Sequence, residues 1–499
     1  MKKFLSLLLT AALLLSLAAP ALADEAVTIN VLAFPNVQSF FEGEDENNNY
    51  MINWIKETVG FDVHWSILPS ENTAAKRNAM MASSNPPDIV MLNDRNVFLN
   101  YYNDGLLMPL NEYLPEDMFQ NDEQKAYKLG YIDGQCYAIA TPGKKTDNTS
   151  AWWYNKEMLT NAGIELPEHT ITLDQFTEIL YALKKAYPDS YPLSASGDGA
   201  TTRTYWLKDM EILYAAFGIA NDFRVKEDGT LEYALATDDM KECFEYLNKL
   251  YADGILDPEY LVNSKDNLAA KMLNGNCASA LTERFDYTQT YRTALDIENT
   301  GAWDYVNIID GGKATCTQTA GNPAMFYLIV SSTCKHPEEA VKLLQLMLSN
   351  EYYDMAFYGY KDVDWYYDEN GNRQRNLDSD ISKGYLAGGM SWFVYYYVSE
   401  TFEQSNARSL CGNPNFDMEH RCYMWVDTMT VKNPIAALPL LDTYSESFND
   451  ITDVTSEYGI KFVMGGYSFD QWDEYLSDLD AVGLEEMMVE LNDWYKTVE

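Results

Sequence analysis

An α/β fold in two lobes is predicted by three observations. The chain has 499 residues, enough for two or three hydrophobic cores. Near its start, short apolar strands alternate with amphipathic helices three times in succession. Beyond residue 170 the same alternation resumes with longer helices. Hydrophobic residues at 47% and charged residues at 22% fit a folded chain and exclude wholesale disorder.

The elements follow in order. Val27, Ile29, Val31 and Ala33 alternate with their neighbours and predict a mostly buried strand. Asn47 to Asn49 supply a cap for a helix with Met51, Ile55 and Val59 on one face and Gly60 as its stop. Phe61, Val63, Trp65 and Ile67 predict a second strand, residues 71–83 a helix, and Asp88 to Leu92 a third strand after the break at Asn85-Pro86-Pro87. Three βα units in a row argue a doubly wound lobe, whose ligands sit beyond the carboxyl ends of the strands. That places Asn36 and Asp94 at the mouth of a crevice, with a helix N-cap as the alternative role for Asp94. Further on, residues 172–187, 238–253 and 337–349 predict helices. Strands are predicted over 278–281, which empties into Thr282-Glu283-Arg284, and over 325–331. The Asp/Asn/Gly-rich stretch 362–380 predicts a surface excursion, and no tandem repeat is present.

Lys2 and Lys3, the apolar run from Phe4 to Ala19 and the small residues at Ala21-Leu22-Ala23 predict a secretory signal peptide over residues 1–23. The mature chain is expected outside the cytoplasm. No Cys stands at the cleavage region, so no lipid anchor is expected.

The net charge of −41 disfavours nucleic acid and anionic membrane surface as partners. Seven Cys without a C-x-x-C pair form no disulfide framework and no zinc knuckle, and Cys411 with Cys422 is left as an open pairing. Gly311-Gly312-Lys313 is followed by Ala314, so no phosphate loop forms; G-x-S-x-G and H-E-x-x-H are missing too. The four His are widely separated. Asp368-Glu369-Asn370-Gly371-Asn372 lacks the alternating ligands and distal Glu of a calcium loop. No catalytic residue, cofactor or metal site is expected. The 37 Tyr and 11 Trp exceed the needs of a core and suit a ligand with apolar faces and polar edges.

Five stretches, in order, resemble one family. Asp133-Gly134-Gln135-Cys136-Tyr137-Ala138-Ile139-Ala140-Thr141-Pro142 is similar to its "DGKxYAIP" strand. Trp153-Tyr154-Asn155-Lys156-Glu157-Met158-Leu159, with Ala162-Gly163-Ile164, Pro167 and Thr172-Leu173-Asp174-Gln175-Phe176, is similar to its crossover segment. Gly254-Ile255-Leu256-Asp257-Pro258-Glu259 resembles "GLIDPE", and His336-Pro337-Glu338-Glu339-Ala340 a "hPEeAvkll" helix start. Lys461 to Gly466 and Trp472 to Tyr475 resemble its C-terminal element. The family is the extracellular solute-binding proteins of bacterial sugar ABC importers, in its lipoprotein-type branch.

The resemblance implies a type II periplasmic-binding-protein-like clamshell with hinge-crossing strands. Residues 24–141 and 308–350 would form the N-terminal lobe, and 142–307 with 351–499 the C-terminal lobe. It implies a monomer that captures an oligosaccharide and hands it to the transmembrane subunits of an ABC permease. Trp and Tyr rings would cover sugar faces while Asp, Asn, Glu and Arg take hydroxyls. The candidate ligand-binding residues are Asn36, Asp94, Trp152, Trp153, Glu283, Arg284, Trp392 and Tyr396. Adjacent positions of a strand face opposite ways, so one of Trp152 and Trp153 is expected in the cleft and the other in the core. Asn155 is expected to cap the next helix. A secreted carbohydrate-active enzyme and a peptide-binding importer component are the competing readings.

Overall fold

A computed structural model of the chain describes residues 27–33, 40–68, 72–115, 129–142, 150–197, 209–283, 302–313, 324–367, 369, 373–376, 378–386 and 433–497. The expected signal segment over residues 1–23, Asn36, Arg284, Trp392, Tyr396, Cys411 and Cys422 lie outside the described residues. The two larger sheets use β1 (Thr28–Ala33), β2 (Asp62–Ile67), β3 (Ile89–Leu92), β4 (Ile139–Pro142), β5 (Ser150–Asn155), β6 (Ser194–Ala195), β7 (Ser279–Glu283), β8 (Trp303–Val306) and β9 (Ala324–Val330). No helix among the described residues is long and apolar enough to cross a membrane.

The chain divides into two units, stated here for their described residues. Unit 1 comprises Met1–Pro142, Phe326–Tyr366 and Arg375–Ser399; unit 2 comprises Gly143–Met325, Tyr367–Gln374 and Glu400–Glu499. Two expected boundaries shift, and the stretch from Arg375 to Ser399, expected in the C-terminal lobe, falls in unit 1. Residues 308–325 go with unit 2, because Ile308–Asp310 pairs in parallel with Thr170–Thr172. Residues 351–366 stay with unit 1, because the helix Asn350–Tyr358 packs there: Tyr352 meets Trp54 with ring centroids 6.2 Å apart.

In unit 1 the strand order is β2-β1-β3-β9-β4. β1 pairs in parallel with β2 and β3, whereas β9 runs antiparallel to β3 with Val90 opposite Ile329. Ile29, Val31, Leu32, Val90, Leu92 and Ile329 are buried, as strands covered on both faces require. Helix α1 (Tyr50–Val59) starts where the Asn49 side chain accepts the Ile52 N–H at 3.0 Å. It stops at Gly60, whose φ of 81° is left-handed. Helices α2 (Thr73–Met81) and α3 (Arg95–Asn103) complete the βα units.

In unit 2 the order is β8-β5-β7-β6. β5 lies between two antiparallel neighbours, with Trp152 opposite Leu281 and Val306, and Trp153 opposite Ala280 and Tyr305. Helix α4 (Leu173–Ala186) opens with a reciprocal cap, Gln175 N–H to Thr172 Oγ1 at 3.1 Å and Thr172 N–H to Gln175 Oε1 at 2.9 Å. Asn155 caps its helix as expected, accepting the Met158 N–H at 3.1 Å.

The two tryptophans do alternate in facing, yet both are core. Trp152 is 0% exposed and meets Phe176 edge-on at 4.9 Å, within a cluster that includes Leu180, Leu281 and Val306. Trp153 is equally buried on the other face, 5.0 Å from Tyr305 and packed with Leu268 and Met272. The expectation that one of them offers a ring face to ligand is corrected here. Both faces of this sheet are covered, so alternation separates two cores instead of a core and an open surface.

Helix α5 (Asp238–Ala252) ends in the turn that carries Asp257, a fully buried carboxylate. It accepts from Ser194 Oγ at 2.7 Å, Asn263 Nδ2 at 3.0 Å, Lys271 Nζ at 2.6 Å and the Glu259 N–H at 3.0 Å. Burial opposes ionisation, but those donors outweigh it and hold the Asp257 carboxyl below its ordinary range. The network ties β6 and helix α6 (Lys265–Leu273) to the turn.

Two outcomes follow. Trp152→Ala and Trp153→Ala should each destabilise the fold by about 3–5 kcal/mol in denaturant titrations, the cost of truncating a buried indole. A variant with unchanged stability would contradict its burial. Asp257→Asn should lose about 1.5–3 kcal/mol near neutral pH, the range for hydrogen bonds to a charged group. Because the folded-state pKa is depressed, this stabilisation is complete above the unfolded value of about 4 and fades as pH falls through the folded value. Wild type and variant should therefore converge in acid; a gap that widens there would refute this account.

Candidate functional site

The edges where the strands end are the natural place to build a site. In unit 1, Asp94 follows β3 and caps α3: its Oδ1 accepts the Asn96 N–H at 2.7 Å and the Val97 N–H at 3.4 Å. The side chain is exposed, so capping leaves Oδ2 open to solvent. Beside it, Arg95 Nη1 donates to the Leu129 carbonyl at 3.0 Å. Tyr327 on β9 stacks on Phe98 at 5.1 Å, and burial pushes its hydroxyl pKa up against the opposing charge of Arg95. On β4, Thr141 Oγ1 accepts the Phe326 N–H at 3.1 Å and secures the junction with β9.

In unit 2, β6, β7 and β8 all end at the edge where β5 begins. Small polar residues collect there. Ser150 Oγ accepts the Ile212 N–H at 2.8 Å, and the Ser196 N–H reaches the Asp209 carboxylate at 3.1 Å. Ser196 Oγ donates to the Asn263 carbonyl at 3.1 Å. Gly197 follows because no side chain fits: a Cβ there would lie 1.9 Å from the Leu261 carbonyl oxygen. Thr282 opposes Ala151 across the β5–β7 pair. Its buried Oγ1, and the buried Nδ2 of Asn307 just past β8, have no hydrogen-bond partner among the described residues. Ser150, Ser196, Asp209, Thr282 and Asn307 are all buried, so these groups first hold the strand ends and the following segments together.

Of the residues expected at the site, Asp94 stands at a strand end in unit 1. Glu283 closes β7 opposite Ser150 in unit 2. Trp152 and Trp153 stand in the cores. Asn36, Arg284, Trp392 and Tyr396 fall outside the described residues. Ser150, Ser196, Asp209, Thr282 and Asn307, the buried polar residues of this edge, were not among the expected residues. The run Ser194-Ala195-Ser196-Gly197 was the available signal, a strand end closing in small residues.

Among the described residues no group of three or more His, Cys, Asp or Glu side chains is placed to hold a metal ion. The described cysteines Cys136, Cys243, Cys277 and Cys334 are buried and free. Burial pushes the Cys136 and Cys334 thiols up to about 12 and the other two further, which suppresses the reactive thiolate.

Comparison with known proteins adds the family. The model for "Bacterial extracellular solute-binding protein" matches residues 44–354. A curated relative is the fructooligosaccharide ABC transporter substrate-binding protein FusA of Streptococcus pneumoniae. It is 25% identical over an alignment of 265 positions that covers 48% of this chain and 47% of that protein. Among solved structures, FusA of S. pneumoniae in complex with kestose superposes with a TM-score of 0.70 at 18% identity, over 95% of this chain and 99% of that one. An HMO-binding solute-binding protein from Bifidobacterium longum infantis gives 0.72 at 18% identity with the same coverage. The alginate-binding protein AlgQ2 gives 0.68 at 17% identity, over 95% and 98%. These likenesses establish the two-domain, periplasmic-binding-protein-like α/β fold. With the family model spanning more than half of the residues, the chain belongs to the bacterial extracellular solute-binding proteins.

Proposed function

We propose that this protein captures a carbohydrate, specifically an oligosaccharide, outside the cytoplasm and delivers it to the membrane permease of an ABC importer. The observation that carries the reading is family membership together with a curated relative named for fructooligosaccharide transport. Carboxylates and amides pair with sugar hydroxyls; Glu283 at the end of β7 in unit 2 and, separately, Asp94 at a strand end of unit 1 are the proposed acceptors. Hydrogen bonds buried on binding are costly to lose, which supplies selectivity without covalent chemistry. The protein acts as a binding component and a monomer; energy for import comes from a separate ATPase.

A ligand that binds only the folded form stabilises it, by about 2.7 kcal/mol at a concentration of 100 Kd. A panel of oligosaccharides and peptides should therefore raise the melting temperature with at least one glycan. Peptides stabilising while every glycan leaves it unmoved would overturn the sugar reading, and steady turnover of a glycan would replace it with an enzyme. The mature protein should begin near Asp24 and stay in the soluble fraction, as N-terminal sequencing after fractionation would show. An acylated or membrane-retained form would contradict the expected processing.

A further inference from the structure

Helix α6 is closed by a loop whose middle residues are Asn274 and Gly275. The Asn276 N–H reaches back to the Lys271 carbonyl at 2.8 Å, and the Gly275 N–H reaches the Met272 carbonyl at 3.3 Å. This pair of bonds ends many helices over a glycine in the left-handed conformation. Gly275 has it, with φ at 71°. The bond that Gly275 itself donates is the longer and weaker of the two.

An Asn followed by Gly sets a side-chain amide carbon beside a main-chain nitrogen that no side chain of its own residue shields. Asn274 is exposed, and among the described residues its side-chain amide has no hydrogen-bond partner to hold it. A Cβ built on Gly275 would meet no heavy atom within 4 Å, so the ground around that nitrogen is open. Asn276, two residues on, offers a comparison. It is exposed as well, but its carbonyl accepts the Tyr191 N–H at 2.9 Å. Its successor is the buried Cys277, bridged to Tyr191.

We propose that Asn274 is a self-modification site, converted without an enzyme to aspartyl and isoaspartyl forms. The Gly275 nitrogen, its proton lost to base, bonds to Asn274 Cγ while the Cγ–Nδ2 bond breaks. Nδ2 takes up a proton and leaves as ammonia, and a five-membered succinimide remains. Water then opens the ring. Addition at Cγ restores the main chain with an Asp, whereas addition at the main-chain carbonyl carbon routes the chain through the side chain. To reach Cγ the nitrogen turns away from the Met272 carbonyl, and the 3.3 Å bond is the one that yields. Both products weaken the end of α6. A carboxylate at a helix C-terminus opposes the dipole, and the isoaspartyl link adds a backbone carbon to the closing loop. Lys271, whose carbonyl holds that loop, donates from Nζ to Asp257 at 2.6 Å and Glu259 at 2.8 Å, so the disturbance passes to the buried Asp257 network. The inference is independent of the ligand.

The test is to age the full mature chain in warm, mildly alkaline buffer and follow it by peptide mass mapping with enzymatic labelling of isoaspartate. Residue 274 should show the mass gain of an amide turned into an acid, with isoaspartate at the same position, and faster at higher pH because base removes the Gly275 proton. Asn276, in the same peptide, should stay an amide. Asn274→Gln should abolish the conversion, since the longer side chain would have to close a six-membered ring. Aged wild type should melt at a lower temperature than fresh protein, while the aged Gln variant should not. An unchanged residue 274, or conversion of Asn276 at an equal or greater rate, would overturn the proposal, and both are read in wild type alone should the variant not fold.

Discussion

The antiparallel pairing of β9 with β3 is the constraint on which the architecture depends. Tyr327 to Val330 lie against Ile89 to Leu92, nearly 240 residues apart in the chain. The unit 1 sheet is therefore incomplete until the chain has passed through most of unit 2. Closing so long a connection costs entropy that rises only slowly with length, so the insertion is tolerable in stability. It delays completion of the sheet, since non-local pairings form late. The buried residues Ala324 and Phe326 to Val330 fit this role: their strand enters between β3 and β4, where both faces must be apolar.

Unit 2 solves a different problem. Its sheet has β5 between two antiparallel neighbours, and helices cover both faces, so every long side chain of β5 is enclosed. At the edge where the strands end the residues are small. Ser150, Ser196 and Thr282 permit close chain approach, while Asp209 and Asn263 tie the following segments in place.

Asparagine carries much of the joinery. Its amide has the donor and acceptor of a peptide group, so it can stand in for main chain where none is available. Asn49 and Asn155 do so at helix starts, Asn47 and Asn492 beside strands, and Asn263 in the Asp257 network. In a chain with net charge −41, a neutral residue with this capacity avoids adding to the repulsion among carboxylates.

The sequence by itself determined the local elements and, through five ordered motifs, the family. The strands at 28–33 and 62–67, α1 with its Asn cap and Gly60 stop, and the helix that Pro337 starts were legible because period and capping are local properties. Asp94 was readable as a cap or a site residue for the same reason. Tertiary structure decided which surfaces are covered. Trp152 and Trp153 have the alternation of a half-exposed strand, and only the packing of Phe176 on one face and Tyr305 on the other makes both of them core. The return crossing near residue 325 also depended on a partner, since Ile308 to Asp310 joins unit 2 only through its register with Thr170 to Thr172. Nor could spacing assign Asn47, whose neighbour in sequence is a helix and whose partner in space is Trp65. Periodicity reports what a segment can bury; which of its faces meets another part of the chain is set by pairings far apart in sequence.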